Sequence, residues 1–258
     1  MTTLNILILA VVEGVTEYLP ISSTAHLIMT STLLNLQQTP STTLYEVVIQ
    51  TGAIFAVIIL YWKTLIQHKD HILKVLASFV PTALIGLLFH DTIKTVFFQS
   101  NLLIASSLIL VGVIFIILEL AISRGAIKLR ADLTDITFTH AVLIGIIQAS
   151  AIVPGVSRAG AVMIGMMLLG YKRTDAALYS FILAIPTLAS ASALDLITTD
   201  PSLLTSQMVS HLVIGSIVSC ITALIVIKWL IGYLQHHSLA WFGAYRIIVG
   251  ILFITLTI

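Results

Sequence analysis

Long apolar runs alternate with short polar connections along this chain. Six of the runs approach or reach the length of about 20 residues that carries a helix across a bilayer. They cover residues 44–62, 72–89, 101–121, 176–197, 209–231 and 240–258. Other apolar runs are too short or are interrupted. The run 4–19 contains Glu13 and Glu17 and closes on Pro20; the run 24–34 follows it; the runs 138–153 and 159–169 are parted at Pro154-Gly155. Proline lacks the N–H that would continue a helix. The pattern therefore predicts two helical hairpins, 4–34 and 138–169, each bent at a polar, proline-containing turn.

Lys and Arg placement orients these elements. Lys63, Lys69 and Lys74 share one connection, Arg124, Lys128 and Arg130 another, and Lys172 and Arg173 a third, while Lys228 ends a span. The connections 35–43 and 198–207 hold none, and 91–100 holds only Lys94, near Asp91. Positive charge collects on the cytoplasmic side, so the first group is expected inside and the second outside. The hairpin 138–169 then begins and ends inside, and the hairpin 4–34 ends outside.

Residues 1–121 and 138–258 share one order, a hairpin followed by three spans. That unit reverses direction, so the halves are expected to form an inverted repeat within one membrane domain, 1–258. A short echo, Ser78-Phe79-Val80-Pro81-Thr82-Ala83-Leu84 against Ala184-Ile185-Pro186-Thr187-Leu188, runs in the same direction but out of register. Interrupted segments in matching positions of two halves point to a binding site near the midplane. The fold class expected is an all-α polytopic membrane protein of six full spans and two re-entrant hairpins.

Composition agrees with this. The chain is 59% hydrophobic and 9% charged, with mean hydropathy +1.11, beyond what a soluble domain needs. Its net charge of +1 gives nucleic acid no reason to bind. Cys220, the one cysteine, excludes an intrachain disulfide. The start of the chain lacks a basic leader and a small-residue cleavage site and is expected to be mature structure rather than a signal peptide.

Against this background two polar islands stand out, Glu13 to His26 and Gln148 to Gly160. Ionisable groups at membrane depth are costly and are functional by default. Glu13 and Glu17, four apart, share a helix face. Such a pair either holds one proton or recruits a cation, and a divalent ion sharing phosphate oxygens suits hard oxygen ligands. Ser22, Ser23 and Thr24 start the next helix. They either cap its free N–H groups or help those groups bind phosphate. Ser23 is the nucleophile candidate if a base is near, and His26 could be that base or the nucleophile itself. In the second island Ser157 caps, and Gly155 and Gly160 allow close backbone approach. Arg158 brings a fixed charge that forks onto phosphate; it expects Glu13, Glu17 or an anionic ligand as partner, a structural salt bridge being the plainer reading. Arg246, inside the last span, is either a site residue or a structural partner for Gln50 or a carboxylate. Glu119 can snorkel, Glu46 and Asp195 sit near external ends, and His236-His237 suits a wet loop.

Residues 13–26 and Pro154-Gly155-Val156-Ser157-Arg158-Ala159-Gly160 resemble the two signature motifs of the undecaprenyl-diphosphate phosphatase family, the bacitracin-resistance proteins. Further likeness lies in Gln50-Thr51-Gly52-Ala53, in residues 179–186 and in Tyr245-Arg246-Ile247, so it covers nearly the whole chain. The resemblance implies a multi-pass enzyme of the bacterial plasma (inner) membrane whose pocket opens to the external, periplasmic side. It would hydrolyse undecaprenyl diphosphate to the monophosphate and phosphate, recycling the carrier lipid for peptidoglycan synthesis and conferring bacitracin resistance. By position, Glu13 and Glu17 match the acidic pair associated with a divalent cation, Mg²⁺ or Ca²⁺. Ser22, Ser23, Thr24 and His26 match the hydroxyl–histidine segment, and Gly155, Ser157 and Arg158 the phosphate-binding turn. The family leaves Ser23 and His26 both open as nucleophile. The chain departs from the usual motifs at Ala25, Ala159 and Val162, the last two costing hydroxyls beside Arg158. Lipid and bilayer are the expected partners, with a homodimer as one candidate assembly. The alternative function is a transporter of a polyprenyl phosphate lipid, which needs Arg158 but no nucleophile; a bare membrane scaffold would explain neither island.

Overall fold

The computed structural model describes residues 1–67, 69–89 and 100–257. The connection expected at 91–100 lies outside the described residues except for Ser100, and so does the last residue of the span 240–258. Eleven α-helices occupy the described residues, with no named strand among them. In chain order they are α1 (Thr3–Thr16), α2 (Ser23–Leu33), α3 (Pro40–Val48), α4 (Gln50–Gln67), α5 (Lys69–Leu88) and α6 (Asn101–Ser123), then α7 (Phe138–Ala149), α8 (Arg158–Leu168), α9 (Arg173–Thr198), α10 (Ser206–His236) and α11 (Ala240–Thr257). Hydroxyl side chains begin most of them: Thr2, Ser22, Thr39, Ser100, Thr137, Ser157 and Thr205 each accept a hydrogen bond from a first-turn N–H.

The runs expected to make the two hairpins fold as the helix pairs α1–α2 and α7–α8, the members of each pair in contact. Among the described residues five segments are long and apolar enough to cross a membrane: Pro40–Ile66, His71–Leu88, Asn101–Ser123, Arg173–Thr198 and Ser206–His236. The sixth expected span is the shorter apolar helix Ala240–Thr255. Large apolar side chains stay exposed along these helices, among them Leu110, Ile117, Ile225 and Trp241. Patches of this size suit a lipid environment and not water. The chain is an all-helical, multi-pass membrane protein.

The span expected at 44–62 is interrupted. Thr51 Oγ1 donates to Val48 O at 2.6 Å, and the Gly52 N–H turns to Ile49 O instead. A hydroxyl competing for a main-chain carbonyl breaks the i→i+4 ladder, and α3 therefore stops at Val48, with Ile49 as its cap, before α4 resumes.

Packing crosses between the halves: α1 lies against α10, α7 against α5, and α6 runs along α11. Small residues permit the close contacts. A Cβ on Gly14 would meet Ser219 O at 2.5 Å, and one on Gly145 would overlap Ser78 O. The outer corner is tied by Glu119, whose carboxylate takes Arg173 Nε at 2.8 Å, a second bond from the same guanidinium, and the Leu239 N–H at 2.8 Å. Nearby, the exposed Lys172–Asp132 pair at 2.5 Å holds the lysine above its ordinary pKa through that hydrogen bond.

Candidate active site

Helix α1 ends at Thr16 because Pro20 has no N–H to give to the Thr16 carbonyl. Glu17 is thus the capping residue beyond the helix, its N–H still on Glu13 O at 2.9 Å. The chain turns through Tyr18–Ile21 and enters α2 at Ser22, whose φ is 74°. The second island makes the same turn: Ser157, at φ 73°, caps α8 through the Gly160 N–H at 3.1 Å. Left-handed backbone at a serine is strained and persists only where its surroundings enforce it. Gly155, at φ 95°, sits so close to Ile104 O that a Cβ would overlap it.

The two helix starts meet on Glu17. Ser23, the first residue of α2, donates from Oγ to Glu17 Oε2 at 2.5 Å. Arg158, the first residue of α8, donates from Nη2 to Glu17 Oε1 at 2.7 Å. One carboxylate, 6% exposed, therefore joins the islands. Arg158 also reaches Ser180, its carbonyl at 2.6 Å and its hydroxyl at 3.2 Å, and stands 5.6 Å over the Tyr18 ring. Its Nε is buried without a partner. Thr24 stands half-buried one residue beyond Ser23.

His26 makes its hydrogen bonds to other groups than Glu17, Ser23 or Arg158. Its Nδ1 meets Ser22 O at 2.7 Å and its Nε2 meets the Tyr245 hydroxyl at 2.8 Å. Both ring nitrogens are engaged, and Ser23 turns to Glu17 instead. The resemblance picks out Tyr245 beside Arg246, but not His26 as its partner, since a tyrosine in an apolar helix carries no mark of what it binds. Arg246 differs from its expected pairing with Gln50 or a carboxylate, for all its recorded hydrogen bonds go to main-chain carbonyls. Gln148 lies buried beneath the second turn, its amide on Thr82 Oγ1 at 2.7 Å and Thr187 Oγ1 at 3.4 Å. The echoed Pro-Thr pairs of α5 and α9 thus converge on it.

Glu13 is fully buried, and neither carboxyl oxygen has a hydrogen bond. Its charged surroundings are Glu17, Arg158 and Glu46. No group of three or more His, Cys, Asp or Glu gathers among the described residues. Glu13 therefore fits a hard cation only in part: it offers free oxygens, and other ligands would have to come from phosphate and water. Beside the first turn an apolar groove of about 630 Å³ runs between α1, α10 and α11, lined by Leu19, Ile21, Trp229, Tyr233, Phe242 and Tyr245 among others. Glu17 and Ser23 offer a base and a hydroxyl in contact, Arg158 a guanidinium beside them, and two helix N-termini their dipoles. That set suits attack on a phosphorus atom.

Comparison with known proteins agrees with the chemistry. Residues 6–252 match the family model described as Bacitracin resistance protein BacA. The undecaprenyl-diphosphatase of Aquifex aeolicus is 41% identical over 253 residues, covering 98% of each chain. That of a Sulfurihydrogenibium species is 40% identical with 98% of each chain covered, and that of Bdellovibrio bacteriovorus 38% identical over 99% of this chain and 96% of its own.

Proposed function

The chain belongs to the bacitracin resistance protein BacA family and is a membrane-embedded lipid diphosphate phosphatase acting on undecaprenyl diphosphate, and we propose that Ser23 is its nucleophile and Glu17 its base. The single observation carrying that assignment is the 2.5 Å bond from Ser23 Oγ to Glu17 Oε2. Ser23 Oγ attacks the terminal phosphorus, its proton passes to Glu17 and on to the bridging oxygen as the bond from that phosphorus breaks, releasing the lipid monophosphate and leaving Glu17 ionised again. Water, giving its proton to Glu17, then cleaves the phosphoserine to free phosphate, and Glu17 returns that proton to the departing Ser23 oxygen. Arg158 and the first-turn N–H groups of α2 and α8 hold the phosphoryl oxygens, and the unpartnered Arg158 Nε supplies one donor. Charge stabilisation of this kind is the largest catalytic contribution in phosphoryl transfer. His26, engaged by Ser22 and Tyr245, supports the turn rather than attacking.

A divalent cation, Mg²⁺ or Ca²⁺, would be held by Glu13 together with diphosphate oxygens, and would neutralise charge on the substrate. The apolar groove beside Ile21 and Tyr245 suits the prenyl chain. Interrupted hairpins in both halves, packed on each other's spans, support an inverted repeat of 1–121 and 138–258. Lys and Arg placement supports an inner-membrane orientation with the α1–α2 hairpin entered from the external side.

The test is phosphate release from farnesyl or undecaprenyl diphosphate by purified protein in detergent, with Mg²⁺, with Ca²⁺ and with chelator. Release by the wild type, lost in Ser23→Ala and kept in part by His26→Ala, is the expected result. Loss in His26→Ala with substantial release by Ser23→Ala would reverse the assignment.

A further inference from the structure

Arg246 heads the side chains buried completely in this molecule. Its hydrogen bonds run to Pro20 O at 2.9 Å, Gly155 O at 2.5 Å, Val156 O at 3.1 Å and Leu108 O at 3.4 Å. Pro20 lies two residues before Ser22, and Gly155 and Val156 directly precede Ser157. One side chain thus grips both left-handed turns, each immediately ahead of the helix whose first residue meets Glu17. The guanidinium has five donors in a rigid plane, so a single fork holds its two groups of acceptors at a fixed separation. The preceding residue braces the same turn by a second route, since Tyr245 binds His26 and His26 binds Ser22 O at 2.7 Å.

The docking of α11 has its own basis. Gly112 of α6 and Gly243 of α11 face each other so closely that a Cβ on either would come 2.7 Å from the other's carbonyl oxygen. That contact seats the helix through main-chain atoms and the stems of Arg246 and Ile247, without the Arg246 guanidinium. A buried cation bound to turn carbonyls is costly for anchoring alone.

We propose that Arg246 is a positioning residue that fixes the Ser23 turn against the Arg158 turn, so that nucleophile and phosphate clamp keep one spacing. The proposal rests on the phosphatase reading for its kinetic consequence but not for the tie itself. The Arg246→Lys variant of the full chain tests it, since an ammonium keeps the charge but cannot span both turns as a fork. With farnesyl diphosphate, kcat is expected to fall about a hundredfold, the cost of roughly 1 Å of misplacement, with KM within about threefold. Hydrogen exchange is expected to quicken in residues 19–27 and 154–161 together, while α6 and α10 keep wild-type protection. Arg246→Gln serves if the lysine variant does not accumulate. Wild-type kcat, loosening of one turn only, faster exchange spread through α6 and α10, or failure of both variants to fold would each overturn the proposal, the last two marking a structural anchor. Absence of phosphate release by the wild type would sink the phosphatase reading instead, and the exchange measurement would still judge the tie.

Discussion

Ser23 reaches its acceptor on Glu17, and Arg158 holds the other oxygen of the same carboxylate. Removing the hydroxyl leaves the clamp in place, so Ser23→Ala is expected to cut phosphate release about a thousandfold or more while the folded protein still binds lipid diphosphate. A binding assay beside the activity assay separates the two. Glu13 lies beside Glu17, and Glu13→Gln is expected to raise the Mg²⁺ concentration for half-maximal release at least tenfold, read from a metal titration at fixed substrate. Unchanged metal dependence would remove Glu13 from any cation shell. The candidates Ser23, Glu17 and Arg158 were legible in the sequence because ionisable and hydroxyl groups are conspicuous among apolar ones. The partner of Arg158 was legible too, as one of two glutamates. The acceptors of Arg246 were not, because every residue carries a carbonyl. Nor was the φ of Ser22 or Ser157, since no side chain announces left-handed backbone where glycine is absent.

Pro20 governs an element rather than a contact. It ends α1 four residues upstream and so puts Glu17 past the helix, a consequence the apolar pattern placed three residues too late. Gly155→Ala meets both an unfavourable φ and the Ile104 carbonyl, and is expected to displace the second turn and lower kcat at least tenfold; steady-state kinetics on the folded variant checks this. The corner held by Glu119 offers a contrast between ion pairs. Glu119 is buried and satisfies Arg173 and a main-chain N–H, so Glu119→Ala is expected to cost about 3 kcal/mol, measured as a drop in thermal midpoint in detergent. Lys172→Ala, at an exposed pair, is expected to leave that midpoint unchanged. The break at Ile49 escaped the apolar pattern because Thr51 causes it through a hydroxyl bond, and hydropathy does not register where a hydroxyl points.

For the whole molecule the hydrophobic runs located the helix pairs α1–α2 and α7–α8 and the longer apolar segments. Which helix packs on which was beyond them, since lipid-facing and protein-facing residues are equally apolar here. The sidedness can be measured. With Cys220 replaced by alanine, Ser202→Cys is expected to react with an impermeant maleimide in intact cells, and Gly125→Cys only after permeabilisation. The opposite pattern would invert the orientation.

The order in which the site's parts occur along the chain has a consequence for biosynthesis. Glu17 and Ser23 leave the ribosome early, Arg158 past the midpoint, and Arg246 only with α11. Until that helix is inserted, the carbonyls of Pro20, Gly155 and Val156 lack the donor that takes them up in the finished fold. A nascent or truncated chain without α11 therefore carries Ser23 and Arg158 but not the tie that Arg246 makes between their turns. Such a chain is expected to be inert toward the carrier lipid, and its unmet carbonyls are expected to mark it for membrane quality-control proteases.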